Sequence, residues 1–84
     1  MHYVYILQSA VRPDQTYIGS TQDLRVRLEQ HNAGKSTHTN KFRPWNLAVY
    51  IALREKNLAE NLERYLKTGS GRAFAKRHFS ISTA

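Results

Sequence analysis

Five side chains suited to proton transfer and ion binding lie at spacings that could bring them together. Tyr5 and Tyr17 fall in two runs rich in β-branched and aromatic residues, which predict paired strands. Arg27 and His31 stand at positions i and i+4 of a predicted helix, so they share one face of it. Glu63 lies at the edge of the apolar stripe of a second predicted helix. These five residues are the candidates for a functional site.

Several other catalytic patterns are absent from the sequence. It contains no HExxH zinc motif, no Walker A loop and no GxSxG nucleophile elbow. It also has no cysteine, which excludes a disulfide framework, a thiolate zinc site and a cysteine nucleophile. The remaining histidines, His2, His38 and His78, have no metal-ligand spacing.

The two tyrosines belong to a predicted antiparallel hairpin. Residues 3–9 and 16–19 have the composition of strands, and the turn between them, at 12–15, contains proline and aspartate. The hairpin would bring the two strands, and so the tyrosines, side by side.

A helix is predicted over about residues 22–33, carrying the arginine and histidine. Ser20 or Thr21 could cap it, and Asp23, three residues after Ser20, resembles the second half of a capping box. Gly34 would end it.

A polar loop over residues 34–45 follows, and its length is typical of a functional loop. Residues 46–53 are almost continuously apolar, which predicts a central strand buried on both faces.

The glutamate belongs to a second predicted helix, capped by Asn57 with Glu60 three residues later and ended by Gly69. Its predicted core stripe is Leu58, Leu62, Tyr65 and Leu66. A short third helix is predicted at 71–79 and a frayed tail at 80–84.

The 84 residues therefore predict one α/β domain of the α+β kind over 1–84, structured over about 3–79. Its sheet would have three strands, mixed or antiparallel, flanked by helices.

Four short motifs, in order, resemble the GIY-YIG nuclease superfamily. They are Tyr3-Val4-Tyr5, Tyr17-Ile18-Gly19, the stretch 20–32 with its arginine, and the stretch 59–67 with its glutamate. The sequence resembles most closely the small stand-alone bacterial members that consist of the bare catalytic domain. It departs from the superfamily name in one position, where Tyr3 replaces glycine.

The resemblance implies hydrolysis of a phosphodiester bond with one divalent metal ion, Mg²⁺ with Mn²⁺ as a substitute. Tyr5 or Tyr17 would be the general base, although a tyrosine near its ordinary pKa of about 10 needs a nearby cation or metal-bound water. Arg27 would bind the scissile phosphate through two hydrogen bonds. His31 would orient water or a tyrosine hydroxyl, or contact phosphate. Glu63 would hold the metal; the alternative is an ordinary ion pair with Lys67.

Positive charge is concentrated in the second half of the chain. The chain carries a formal charge of +7 and has a pI of about 10.2, and residues 41–84 supply +6 of that charge. From residue 67 onward the charged side chains are all basic; they are Lys67, Arg72, Lys76 and Arg77. Such a segment predicts contact with a nucleic-acid backbone, DNA in preference to RNA.

Composition also limits the cellular location of the protein and the functions that can be expected of it. No apolar run reaches the roughly 20 residues that span a bilayer, and no signal-peptide pattern begins the sequence, so we expect a cytoplasmic protein without a membrane or disulfide partner. The expected function is a structure-directed or weakly sequence-specific endonuclease, with a place in DNA repair or recombination. Two alternatives are a non-catalytic nucleic-acid-binding domain that keeps the fold and a module that binds an acidic protein.

Overall fold

The structure of the protein is a computed structural model that describes residues 1–81. Its elements, in chain order, are β1 (His2–Ser9), β2 (Thr16–Thr21), α1 (Leu24–Asn32), a 3₁₀ turn (Asn40–Phe42), β3 (Trp45–Leu53), α2 (Lys56–Leu66) and α3 (Gly69–Phe79). The α+β class and the three flanking helices are as the sequence predicts.

The sheet is antiparallel throughout, in the order β2-β1-β3. The predicted hairpin is confirmed: β1 and β2 pair from Tyr3 opposite Thr21 to Gln8 opposite Thr16. β3 pairs with the other side of β1, with a register shift between Ile6 and Leu7. The central strand is therefore β1.

The prediction that residues 46–53 form a central strand buried on both faces is wrong. β3 is an edge strand, and Tyr50 on one of its faces is 53% exposed. An apolar run indicates that a strand can be buried. It does not indicate how many other strands pair with that strand. β1 is the strand with two partners, so it occupies the centre.

α2 and α3 cover one face of the sheet. This side, the aliphatic core, consists of Val4, Ile6, Ile18, Ala59, Leu66, Ala75 and Ile81. The predicted stripe of α2 is only partly correct: Leu66 is buried and Leu62 half-buried, but Leu58 and Tyr65 are exposed. Ala59 takes the buried place instead, so the buried stripe starts one residue later than predicted.

α1 and the loop after it cover part of the opposite face. This side, the aromatic core, consists of Tyr5, Leu7 and Trp45, with Tyr17, Leu24, Leu28 and Phe42 packed around them. Because successive side chains of a strand point to opposite faces, β1 supplies both cores from alternate positions.

The helix ends differ from the predicted caps. Asp23 caps α1 by accepting a hydrogen bond from the Val26 backbone N–H at 3.1 Å, while Ser20 and Thr21 belong to β2. Glu55, without a side-chain hydrogen bond, precedes α2 in place of Asn57. The stop at Gly34 is confirmed, since its φ of +77° is the left-handed conformation that favours glycine.

The third helix is longer than predicted, since Gly69 begins α3 and does not end α2. Thr68 caps α3 by accepting a hydrogen bond from the Gly71 N–H. Ile81, placed by the sequence in a frayed tail, is instead buried in the aliphatic core; the rest of that tail, residues 82–84, lies outside the described residues. In the described part of the chain, no helix has the length and apolarity that crossing a membrane requires.

Candidate active site

Tyr5 lies in the middle of β1 on the face that α1 covers, with 2% of its surface exposed. Its partner across the β1–β2 pair is Gly19. A β-carbon at residue 19 would stand 2.6 Å from the Tyr5 hydroxyl oxygen, closer than atoms can approach. Glycine at this position therefore makes room for the tyrosine ring to lie across β2.

Tyr17 stands beside Tyr5 on the next strand. The two ring centroids are 6.2 Å apart, and the centroid of Tyr17 lies 4.8 Å from that of His31. The hairpin and α1 thus bring both tyrosines and the histidine into one aromatic cluster.

His31 is completely buried, and both of its ring nitrogens have hydrogen-bond partners. Nε2 lies 3.0 Å from the Tyr5 hydroxyl, and Nδ1 lies 2.7 Å from the Thr39 hydroxyl. Of the roles expected for this histidine, the geometry favours orienting a tyrosine hydroxyl over touching phosphate.

Arg27 is half-buried one turn before the histidine, and its Nη1 donates to the Gln30 side chain at 3.0 Å. Burial lowers the pKa of Arg27, but interaction with the hydroxyls of Tyr5 and Tyr17 outweighs burial and leaves that pKa raised. A permanently charged guanidinium therefore faces both tyrosines.

The cluster shifts the pKa values of its members in directions that follow from burial. Burial raises the pKa of Tyr5, although the nearby Arg27 opposes the rise. Burial and the charge of Arg27 both lower the pKa of His31. At neutral pH the imidazole is therefore neutral and can accept a proton.

Glu63 reaches the site from α2, on the other side of the sheet. Its carboxylate accepts hydrogen bonds from the Ser20 hydroxyl at 2.7 Å and from the Lys67 ammonium at 2.8 Å. Burial raises the pKa of Glu63, but the bonds from Lys67 and Ser20 outweigh it and leave that pKa lowered. The carboxylate is therefore held charged and oriented in an open pocket lined also by Glu60, Arg64 and Lys67.

The donor set suits one kind of cation. In the described part of the chain, no three His, Cys, Asp or Glu side chains come together. Mg²⁺ is often held by one or two carboxylates while it keeps several waters. Glu63 fits that requirement because its second partner, Lys67, is half exposed and can move away from the carboxylate.

The basic residues singled out in the sequence occupy two places. Lys67 follows α2 directly and forms the ion pair with Glu63 that was the alternative explanation for this glutamate. Arg72, Lys76 and Arg77 are exposed on α3. Lys67 is therefore at the candidate site, whereas the other three form a separate basic surface.

Two residues that contact the site were not singled out from the sequence as parts of it. Ser20 was interpreted as a helix cap, yet its hydroxyl holds Glu63 across 43 positions of sequence. Thr39 is one polar residue among many in the loop, and the only available signal was the length of that loop.

Comparisons with known proteins point to one family. The family model described as "GIY-YIG catalytic domain" matches residues 1–77. Relatives named "Structure-specific endonuclease subunit SLX1" are 46% identical over 52 residues in Talaromyces stipitatus (56% of this chain, 13% of the relative) and 46% identical over 54 residues in Candida dubliniensis (57% and 19%). The same-named relative in Debaryomyces hansenii is 38% identical over 71 residues, which are 76% of this chain and 20% of the relative. The chain thus spans a fifth or less of the length of these relatives.

Proposed function

This chain belongs to the GIY-YIG family, and from that premise we propose that it is a metal-dependent endonuclease that hydrolyses phosphodiester bonds in DNA. The observation that carries the proposal is the hydrogen bond between the Tyr5 hydroxyl and Nε2 of His31, beside the Arg27 guanidinium. The Tyr5 hydroxyl is hydrogen-bonded to a buried neutral imidazole, so a group that can accept its proton is already in place.

Proton transfer is the task of Tyr5 and His31. As water attacks the phosphorus, the Tyr5 oxygen takes a proton from the water and passes its own proton to Nε2 of His31. The phosphorus–oxygen bond to the leaving strand breaks with its electron pair on that oxygen, and the resulting alkoxide takes a proton from solvent water. His31 then returns its extra proton to solvent. The link to His31 favours Tyr5 over Tyr17 as the general base.

Arg27 binds and orients the phosphate. The guanidinium can donate two hydrogen bonds to phosphate oxygens, and it remains charged while negative charge develops there. Tyr17, which borders the same cluster, would then position the attacking water or the phosphate.

Glu63 would hold the metal ion, with the Ser20 hydroxyl orienting the carboxylate. A divalent cation bound there would supply positive charge to offset the negative charge that develops on the phosphate and the leaving oxygen. Lys67 must leave the carboxylate when a cation binds, and its ammonium is then free to contact a phosphate of the substrate.

The basic surface of α3 supplies affinity without sequence recognition. Contacts from Arg72, Lys76 and Arg77 to backbone phosphates would make binding fall steeply as salt rises. Contacts to the phosphate backbone carry no sequence information, which favours a structure-directed or weakly specific enzyme. The relatives are named as structure-specific endonucleases, which supports branched DNA as the substrate and a role in DNA repair.

The direct test is a cleavage screen with labelled single-stranded, duplex, flap and branched DNA in Mg²⁺ or Mn²⁺. We expect metal-dependent cleavage, faster on flap or branched DNA than on plain duplex. Glu63→Gln keeps the shape and removes the charge, so it should bind DNA and lose most cleavage. Glu29→Gln, an exposed glutamate on α1, is the matched control and should cleave normally.

The alternatives predict different outcomes. Salt-dependent binding without cleavage of any of these substrates would identify a nucleic-acid-binding domain that keeps the fold. No salt-dependent binding to DNA would instead favour a module for an acidic protein. Normal cleavage by Glu63→Gln would exclude a metal-binding role for this glutamate. Its only role would then be the ion pair with Lys67.

A further inference from the structure

The polar loop between α1 and β3 contributes a buried hydroxyl to the site. We propose that Thr39 is a positioning residue: it keeps the proton of His31 on Nδ1, so that Nε2 remains free to accept the proton of Tyr5. The proposal rests on the proposed function for its catalytic consequence, but the state of the imidazole can be measured without any cleavage.

The contact geometry leaves His31 few other partners. Thr39 and His31 each have 0% of their surface exposed. The Thr39 hydroxyl oxygen lies 2.7 Å from Nδ1, on the opposite side of the ring from the Tyr5 hydroxyl at 3.0 Å from Nε2. With solvent excluded, these two hydroxyls decide which ring nitrogen carries the proton.

The direction of the hydrogen bonds follows from the groups at the two ends. The Tyr5 oxygen faces the Arg27 guanidinium, which can only donate, so the tyrosine proton finds its acceptor at Nε2. Nδ1 must then carry the imidazole proton and donate a hydrogen bond to the Thr39 hydroxyl oxygen. The Thr39 proton in turn points to the Ser36 carbonyl at 3.5 Å. In this series of hydrogen bonds, the hydroxyls of Tyr5 and Thr39 each accept one hydrogen bond and donate another.

The loop is anchored so that this hydroxyl stays in place. The Thr39 backbone N–H donates to the Ser36 carbonyl at 3.2 Å, and the Thr39 carbonyl accepts from the Trp45 indole N–H at 2.8 Å. Asn32, at the end of α1, accepts from the Trp45 backbone N–H and donates to its carbonyl. The loop is therefore tied at both ends to the helix and strand that flank the site.

The titratable groups around His31 all come from the site itself. Tyr5 faces it from β1, Tyr17 from β2 and Arg27 from its own helix, whereas the loop presents the uncharged Thr39. A carboxylate at residue 39 would also orient the ring, but its negative charge would favour the doubly protonated imidazole. A hydroxyl orients the neutral ring without charging it.

The test measures the tautomer of His31 by ¹⁵N NMR in the metal-free protein, together with single-turnover cleavage rates. Wild type should show the proton on Nδ1. Thr39→Val keeps the shape and removes the hydroxyl, so we expect a loss of the Nδ1–H form and a rate about 10–100-fold lower, as when the partner of an orienting histidine is lost. Thr39→Ser keeps the hydroxyl and should restore both.

The matched control is Thr37→Val, at an exposed threonine of the same loop, which should leave tautomer and rate unchanged. A proton on Nε2 in wild type would overturn the proposal even if Thr39→Val failed to fold. So would an unchanged tautomer in Thr39→Val. If wild type cleaves no DNA but carries the proton on Nδ1, the proposed function fails while the positioning role of Thr39 stands.

Discussion

The two faces of the sheet bury different kinds of side chain, although one strand supplies both. The aliphatic core contains only apolar residues, drawn from β1, β2, α2, α3 and Ile81. The opposite side buries the aromatic core and four polar residues, namely Ser9, His31, Ser36 and Thr39. One face therefore buries apolar side chains alone, whereas the other combines apolar burial with buried hydrogen-bonding groups.

This division explains how so small a domain can hold a polar site. A buried polar group costs free energy unless it is hydrogen-bonded, so the network on the α1 side adds little net stability. Apolar burial in both cores has to stabilise the fold, but the aliphatic core consists of residues without a proposed catalytic role. Mutations in the aliphatic core should therefore change stability without changing activity.

The largest expected effect is on the rate of cleavage. Tyr5→Phe removes the hydroxyl, and losing a general base costs about 10²–10⁴ in rate. The buried Nε2 of His31 also loses its partner, so unfolding free energy should fall by about 1–3 kcal/mol. Single-turnover rates at saturating protein measure the first effect and urea denaturation the second. A wild-type rate in this variant would remove Tyr5 from the mechanism.

The next effect is on stability. Ile6 follows Tyr5 in β1 but faces the aliphatic core with 1% of its surface exposed. Ile6→Ala should lower the free energy of unfolding by about 2–5 kcal/mol. The folded fraction should cleave at the wild-type rate, measured below the unfolding transition. If that rate also fell strongly, the two faces would not be independent.

A smaller effect is expected from a single added methyl group. Gly19→Ala would place a β-carbon against the Tyr5 hydroxyl and ring, and overpacking of this kind costs about 1–3 kcal/mol. The ring must move from His31, so cleavage should fall as well. Gly69→Ala is the matched control, because its new β-carbon would have no atom within 4 Å beyond its chain neighbours and the backbone of its own helix. The control should change stability by less than about 0.5 kcal/mol and leave the rate unchanged.

The smallest effects are on the pH dependence of stability. His31 and Glu63, on opposite sides of the sheet, should each change stability in a different pH range. The pKa of His31 is lowered from its ordinary 6.5, so the unfolded chain takes up the proton first. Stability contributed by the neutral ring is full above pH 6.5 and is lost as pH falls through the lower folded value. His31→Gln should flatten this part of the stability–pH curve.

Glu63 should act in a more acidic range. Its pKa is lowered from the ordinary 4.5, so its pairing with Lys67 stabilises the fold above that pH and is lost as pH falls through the folded value. Lys67 is half exposed, so the contribution should stay below about 1 kcal/mol. Glu63→Gln should remove it, as followed by thermal unfolding between pH 3 and 6 in roughly half-unit steps. A stability curve unchanged by this variant would mean that the ion pair contributes nothing.

The sequence by itself determined the features that depend on local pattern. The composition of residues 3–9 and 16–19 predicted the hairpin that carries both tyrosines, and the four-residue spacing placed Arg27 and His31 together on α1. The order of the four motifs predicted the family. Periodicity and spacing are properties of a few consecutive residues, so they can be recognised without the fold.

Only the tertiary structure decided which distant groups meet. The edge position of β3 depends on how many strands pair with it, and the hydrogen bond from Ser20 to Glu63 depends on how α2 packs across β2. Thr39 lies under His31 because Asn32 and Trp45 tie the loop back to its flanking elements. Such contacts form between groups far apart in sequence, and no local pattern records their partners; their positions follow from the packing of the whole chain.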